Sequence, residues 1–134
     1  MKQIVQSSKN GKLNIREVPD PSILENHLLV RNRTSLISAG TERMVVNFAK
    51  KSLPAKAKAR PDLVKKVLAK TKRDGVSATI RAVLSRLDEP LPLGYSSCAT
   101  VVEVGTGVEG HFYAGQRVAV AGAGFANHAE LNLV

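Results

Sequence analysis

The sequence predicts a mainly β fold interrupted by a basic helical insertion, and three observations predict it. Short alternating or β-branched segments punctuated by glycine occupy both ends of the 134-residue chain. Apolar residues at helical spacing occupy its middle. The excess positive charge sits in that same middle.

At the N-terminal end, Ile4-Val5 opens a strand, and Asn10-Gly11 is a hairpin signal because both residues tolerate positive φ. The run 12–18 then alternates apolar and polar residues and stops at Pro19-Asp20-Pro21. Leu28 to Ile37 is the next strand, with charges on one face. At the C-terminal end, Ala99 to Val104 is a β-branched run closed by Gly105-Thr106-Gly107. Gln116 to Val120 follows a Gly115 turn, and His128 to Val134 alternates again. Such short, glycine-bounded strands suit a small barrel or a sandwich.

In the middle, Thr41 is placed to N-cap a helix that starts at Glu42, an acid at the positive end of the dipole. Leu53-Pro54 is expected to stop that helix and 56–60 to be a solvated linker. Pro61-Asp62 starts a second helix with Leu63, Val64, Val67 and Leu68 on one stripe, broken at Asp74-Gly75. Val76, Ile80, Val83, Leu84 and Leu87 define a third that ends before Pro90.

The formal charge of +9 is a local property. Residues 43–88 hold thirteen Lys and Arg against three Asp, whereas the remainder holds seven Lys and Arg against eight acids. A polyanion reading therefore rests on the insertion alone. Aromatic residues make up 4% of the chain and Trp is absent, which argues against a base-stacking platform for single-stranded nucleic acid. One Cys excludes an internal disulfide and a multi-thiolate zinc site, and it favours a reducing compartment. No apolar run approaches the roughly 20 residues of a membrane span. The polar N-terminus is not a signal peptide, so a soluble, cytoplasmic protein is expected.

Leu91-Pro92-Leu93-Gly94-Tyr95-Ser96-Ser97 leads into Ala99-Thr100-Val101-Val102-Glu103-Val104-Gly105. This resembles the P-L-x-L-G-H-E turn and G-x-V-x-x-V-G strand of the medium-chain dehydrogenase/reductases. Gly105 to Gly110 and Ala114 to Val118 resemble the glycine-rich stretch and G-D-R-V that follow. Ile37-Ser38-Ala39-Gly40-Thr41-Glu42 resembles G-I-C-G-T-D, and Gly124 to Glu130 resembles G-x-x-A-E-Y. The resemblance implies the GroES-like, partly open β-barrel that forms the substrate-side domain of an NAD(P)-dependent oxidoreductase, with a helical insertion at 43–88. Gly122-Ala123-Gly124 does not extend to a G-x-G-x-x-G, because Asn127 takes the third glycine position and no helix pattern follows. The NAD- or NADP-binding domain is accordingly expected downstream of this chain, which should be inactive alone.

Zinc-dependent members hold the metal with Cys from the first motif and His from the second, often with a neighbouring Glu. Here those positions carry Ser38 or Ala39, then Tyr95 and Ser96, so the resemblance implies a zinc-independent enzyme. At the His position, the Tyr95 phenol would point into the cleft and hydrogen bond a substrate carbonyl. Ser38, Thr41 and Ser96 would complete a polar lining around it. The plain alternative has Tyr95 packing on the barrel. Cys98 reads as a small buried hydrophobe, and Glu42 as a helix-start acid. His27, His111 and His128 share no ligand spacing, and a functional His128 would need an orienting partner.

The roughly fifty-residue insertion resembles that of a zinc-less subgroup joined to Gfo/Idh/MocA-type dehydrogenases and associated with sugar and polysaccharide metabolism. Its basic helices suit a lid or dimer contact, or recruitment of an anionic substrate such as a sugar derivative. A nucleic-acid or membrane surface is disfavoured, since the two basic amphipathic helices after Pro61 and from Val76 carry no Trp or Phe anchor and no DNA-reading motif accompanies them. The rival class is a non-enzymatic binding module that docks an anionic partner on those helices.

Overall fold

A computed structural model describes all 134 residues. Strands β1 (Lys2–Ser7), β2 (Leu13–Glu17) and β3 (Leu28–Ser35) precede helices α1 (Thr41–Ala49), α2 (Leu53–Ala59), α3 (Pro61–Asp74) and α4 (Val76–Asp88). Strands β4 (Pro90–Pro92), β5 (Ser96–Val104), β6 (Arg117–Ala121) and β7 (Leu131–Leu133) follow. One sheet has the order β2-β1-β4 and the other β6-β5-β3-β7. Helix and strand take comparable shares of the chain: the architecture is mixed, two sheets with four helices between β3 and β4, which agrees in outline with a β fold that carries a helical insertion. Neither sheet closes on itself, and β6 and β7 remain edges.

The chain divides into two compact units, one of Met1–Val5, Asn14–Glu42 and Pro92–Val134, the other of Gln6–Leu13 and Arg43–Leu91. In the first, Leu28, Val30, Ala99, Val101, Val120 and Ala126 form the core, with Phe112 and Val118 packed against it. The antiparallel β3–β5 pairing carries two irregularities. Leu29 pairs with Glu103 but Val30 with Val101, leaving Val102 as the extra residue on β5. Asn32 pairs with Ala99 and Thr34 with Cys98, leaving Arg33 as the extra residue on β3. Each bulge shifts the two-residue phase of the strand. After the second, Asn32 and Ser35 lie on one face although three residues apart.

The expectation of a buried Cys98 is overturned: its thiol is exposed. Ser97 and Ala99, at 6% and 0% exposure, take the inward phase, so the residue between them points out. The stretch read from His128 onward is only partly strand: Leu131–Leu133 forms β7, Ala129 makes a single antiparallel bridge to Gln3, and His128 lies in a bend before them.

In the second unit, the expected linker at 56–60 is largely helix α2. Pro54 stands in its first turn, where a missing N–H costs nothing, and Ala-Lys-Ala-Lys-Ala is a strong helix former. Lys56 Nζ donates to the Ser8 carbonyl at 2.8 Å. Helices α3 and α4 form as expected, separated by Gly75 at φ +84°. Buried Thr79 caps back to the Gly75 carbonyl at 2.8 Å. The expected apolar stripes stay largely uncovered: Leu68 is 57% and Ile80 53% exposed. Gln6 is fully buried, and its Nε2 donates to the Gly11 carbonyl at 3.2 Å.

Surface ion pairs mark the helix ends. Hydrogen bonds from Arg60 hold the Asp62 carboxyl down at about 2. Those from Arg73, and then Lys70, hold Asp74 below the usual carboxylate range. For Asp62 the depressed value means a contribution present above the unfolded-chain carboxylate pKa and lost as pH falls toward 2. Its full exposure keeps that contribution small. An NMR titration should follow Asp62 to a midpoint near 2, and Arg60→Ala should return it to the ordinary carboxylate range. In the β core, Val30→Ala removes two fully buried methyl groups and should cost about 2 kcal/mol in urea unfolding.

Candidate functional site

Three stretches far apart in sequence meet in the first unit. The Leu36 N–H donates to the Ser96 carbonyl at 2.9 Å, joining the end of β3 to the start of β5. The His128 N–H donates to the Leu93 carbonyl at 2.7 Å, joining the 126–130 turn to the Gly94-Tyr95 turn. The two backbones approach so closely that a Cβ on Gly94 would stand 2.6 Å from the His128 nitrogen, and Gly94 adopts φ +101°. Only glycine meets both demands.

The turn before β7 is fixed from both sides. Asn32 Nδ2 donates to the carbonyls of Asn127 at 2.9 Å and Ala129 at 2.7 Å, and thus straddles His128. Asn132 Nδ2 donates to the Asn127 carbonyl at 3.1 Å. The imidazole held there is 6% exposed, and both ring nitrogens have partners. Nδ1 lies 2.8 Å from Ser35 Oγ, and Nε2 lies 3.1 Å from each carboxylate oxygen of Glu42. A carboxylate only accepts, so Nε2 carries a proton donated to Glu42. In neutral His128, Nδ1 is then an acceptor for the Ser35 hydroxyl.

Glu42 is positioned by the start of α1. The Ser38 N–H donates to Glu42 Oε1 at 3.3 Å, while Ser38 Oγ accepts the Thr41 N–H at 3.3 Å. This reciprocal arrangement has the logic of a capping box, and it gives the cap to Ser38 rather than to Thr41. The sequence marks Glu42 as a helix-start acid. It does occupy the first turn, and its carboxylate also binds His128.

A cleft of about 340 Å³ opens beside this group, lined by Ile4, Ile15, Asn32, Ser35 and His128, with Lys2, Arg33 and Glu130 among its charged residues. Ser35 is exposed, so its hydroxyl connects the buried imidazole to the cleft. Tyr95, Ser38, Thr41 and Ser96, the four residues expected at the site, are not among those that line this cleft. The Ser38 N–H is bound to the Glu42 carboxylate, Thr41 is exposed at the start of α1, and Ser96 of β5 pairs with Ala121 of β6. Tyr95 is half-buried, and its carbonyl accepts the Gly122 N–H at 2.8 Å. No sequence signal marks Ser35, and none pairs His128 with an orienting partner. The contacts span 93 and 86 residues, and no spacing pattern signals them.

No group of three His, Cys, Asp or Glu side chains converges as a metal site. Gly122 and Gly124 have positive φ, but the segment after them turns into β7 and not into a helix. These residues therefore do not fit a dinucleotide phosphate, which needs a helix N-terminus behind the glycines. No protein-family model matches the chain, and no curated protein matches it.

Gly94→Ala should push the His128 turn away from Leu93 and cost at least about 1–3 kcal/mol, from positive φ and backbone collision together. Unfolding midpoints measure the loss, and a backbone NMR comparison should show the largest shifts at residues 126–130.

Proposed function

We propose that this chain is the substrate-side, GroES-like part of an NAD(P)-dependent, zinc-independent dehydrogenase/reductase acting on an alcohol or carbonyl group. The supporting observation is the convergence of three stretches that resemble medium-chain dehydrogenase/reductase motifs. Segments 36–42, 93–97 and 126–130 are hydrogen bonded together beside one cleft. Because the glycines here do not fit a dinucleotide, the reading assigns nicotinamide binding to a further module. When bound, that cofactor supplies the hydride chemistry. What this chain contributes is a shaped cleft, polar groups for an oxygen atom, and a route for its proton.

The geometry favours Ser35 and His128 over Tyr95 as the groups that meet substrate oxygen, since these two line the cleft. Lys2 and Arg33 at the same cleft suit a substrate bearing an anionic group, a sugar acid or a related derivative among them. The test is NAD(P)H binding and oxidation by the native gene product with polyhydroxylated carbonyl compounds. Enhanced cofactor fluorescence with turnover supports the reading. Failure to bind either NADH or NADPH removes it.

A second reading is favoured by the helical unit, where exposed Leu68, Val76 and Ile80 share helices with a strong excess of cations. Such a surface suits a non-enzymatic docking role toward an anionic partner. Salt-sensitive retention on a polyanionic matrix, weakened by Lys65→Glu with Lys66→Glu, would support that role over catalysis.

A further inference from the structure

We propose that Glu42, His128 and Ser35 form a proton relay that serves a substrate hydroxyl or carbonyl oxygen seated in the adjacent cleft, with Ser35 the catalytic residue in contact with that oxygen. The assignment of the reacting oxygen rests on the dehydrogenase reading; the relay itself rests on geometry. His128 is nearly sealed from water, yet its two nitrogens bind a carboxylate on one side and a hydroxyl on the other. A base oriented by an acid and hydrogen bonded to a hydroxyl is the arrangement that activates that hydroxyl.

The frame accommodates both protonation states without moving a heavy atom. Neutral His128 accepts the Ser35 proton at Nδ1 over 2.8 Å, and protonated His128 donates from Nδ1 to the same oxygen. In both states Nε2–H remains on Glu42, whose negative charge offsets that of the imidazolium. Glu42 is thus a positioning residue, itself held by the Ser38 N–H. The proton balance is simple. As the substrate O–H bond breaks, an O–H bond forms on Ser35. The original Ser35 proton moves to Nδ1, and the electron pair of the broken bond stays on substrate oxygen. The reverse sequence protonates a carbonyl oxygen as it is reduced. Asn32 keeps the geometry exact enough for this, because it clamps the carbonyls on both sides of His128.

Two measurements test the relay. In this chain, long-range ¹H–¹⁵N correlation spectra should show His128 protonated at Nε2 whenever it is neutral, and Glu42→Gln should abolish that fixed preference. A neutral His128 protonated at Nδ1 instead would overturn the relay, because the ring could not accept the Ser35 proton. In the native gene product, Ser35→Ala should lower kcat by about 100-fold or more with KM little changed. Ser35→Thr, which keeps the hydroxyl, should restore much of the rate. Wild-type kcat in Ser35→Ala overturns the relay while leaving the dehydrogenase reading intact. Absence of nicotinamide-dependent turnover in the wild type, with the Nε2–H form present, removes that reading and with it the substrate role given to Ser35.

Discussion

Pairing of β3 on both of its edges is the constraint on which the first unit depends. One edge carries β5 and the other β7, so β3 fixes where the segments before and after it must lie. Its first half is buried and supplies Leu28 and Val30 to the core. Its second half is polar and supplies Asn32 and Ser35 to the cleft. One strand thus supplies both the core and the lining of the cleft. The switch between them coincides with the extra residue Arg33, which sets Ser35 on the face of Asn32. Were Arg33 paired in a regular ladder instead of bulged out, the alternation would turn Ser35 to the face opposite Asn32.

Around this strand the polar groups are arranged in a chain rather than a patch. Ser38 orders Glu42, Glu42 orders the imidazole, and Asn32 and Leu93 hold the backbone that carries it. Each link satisfies a group that would be costly to bury alone. The same links give both ring nitrogens of His128 a partner, and of those two partners Ser35 is the one that lines the cleft. Preorganisation of this kind is what distinguishes a site from a surface cluster of similar residues.

Much of the secondary structure was legible because its signals are local. Pro61 and Gly75 bound α3, the apolar stripe from Val76 marks α4, and β-branched runs mark β5 and β6. Helix α2 was hidden because Leu53-Pro54 is read equally well as a stop or as a first turn. Bulges carry no residue signature, so the phase of Cys98 and Ser35 was illegible, and the inward assignment of the thiol failed for that reason. The candidate site was legible only in outline. Its segments were marked by motif-like residues, but the groups that face the cleft are joined across most of the chain length, where periodicity conveys nothing.

The outward phase of Cys98 has a practical side. The only thiol in the chain stands on the outer face of β5, between two residues that point inward, and does not take part in the core cluster. A maleimide dye or nitroxide attached there would sit on the strand that pairs with β3, without displacing a packed side chain. The protein thereby carries a built-in, single-position reporter for changes around the cleft, and no engineered cysteine is required.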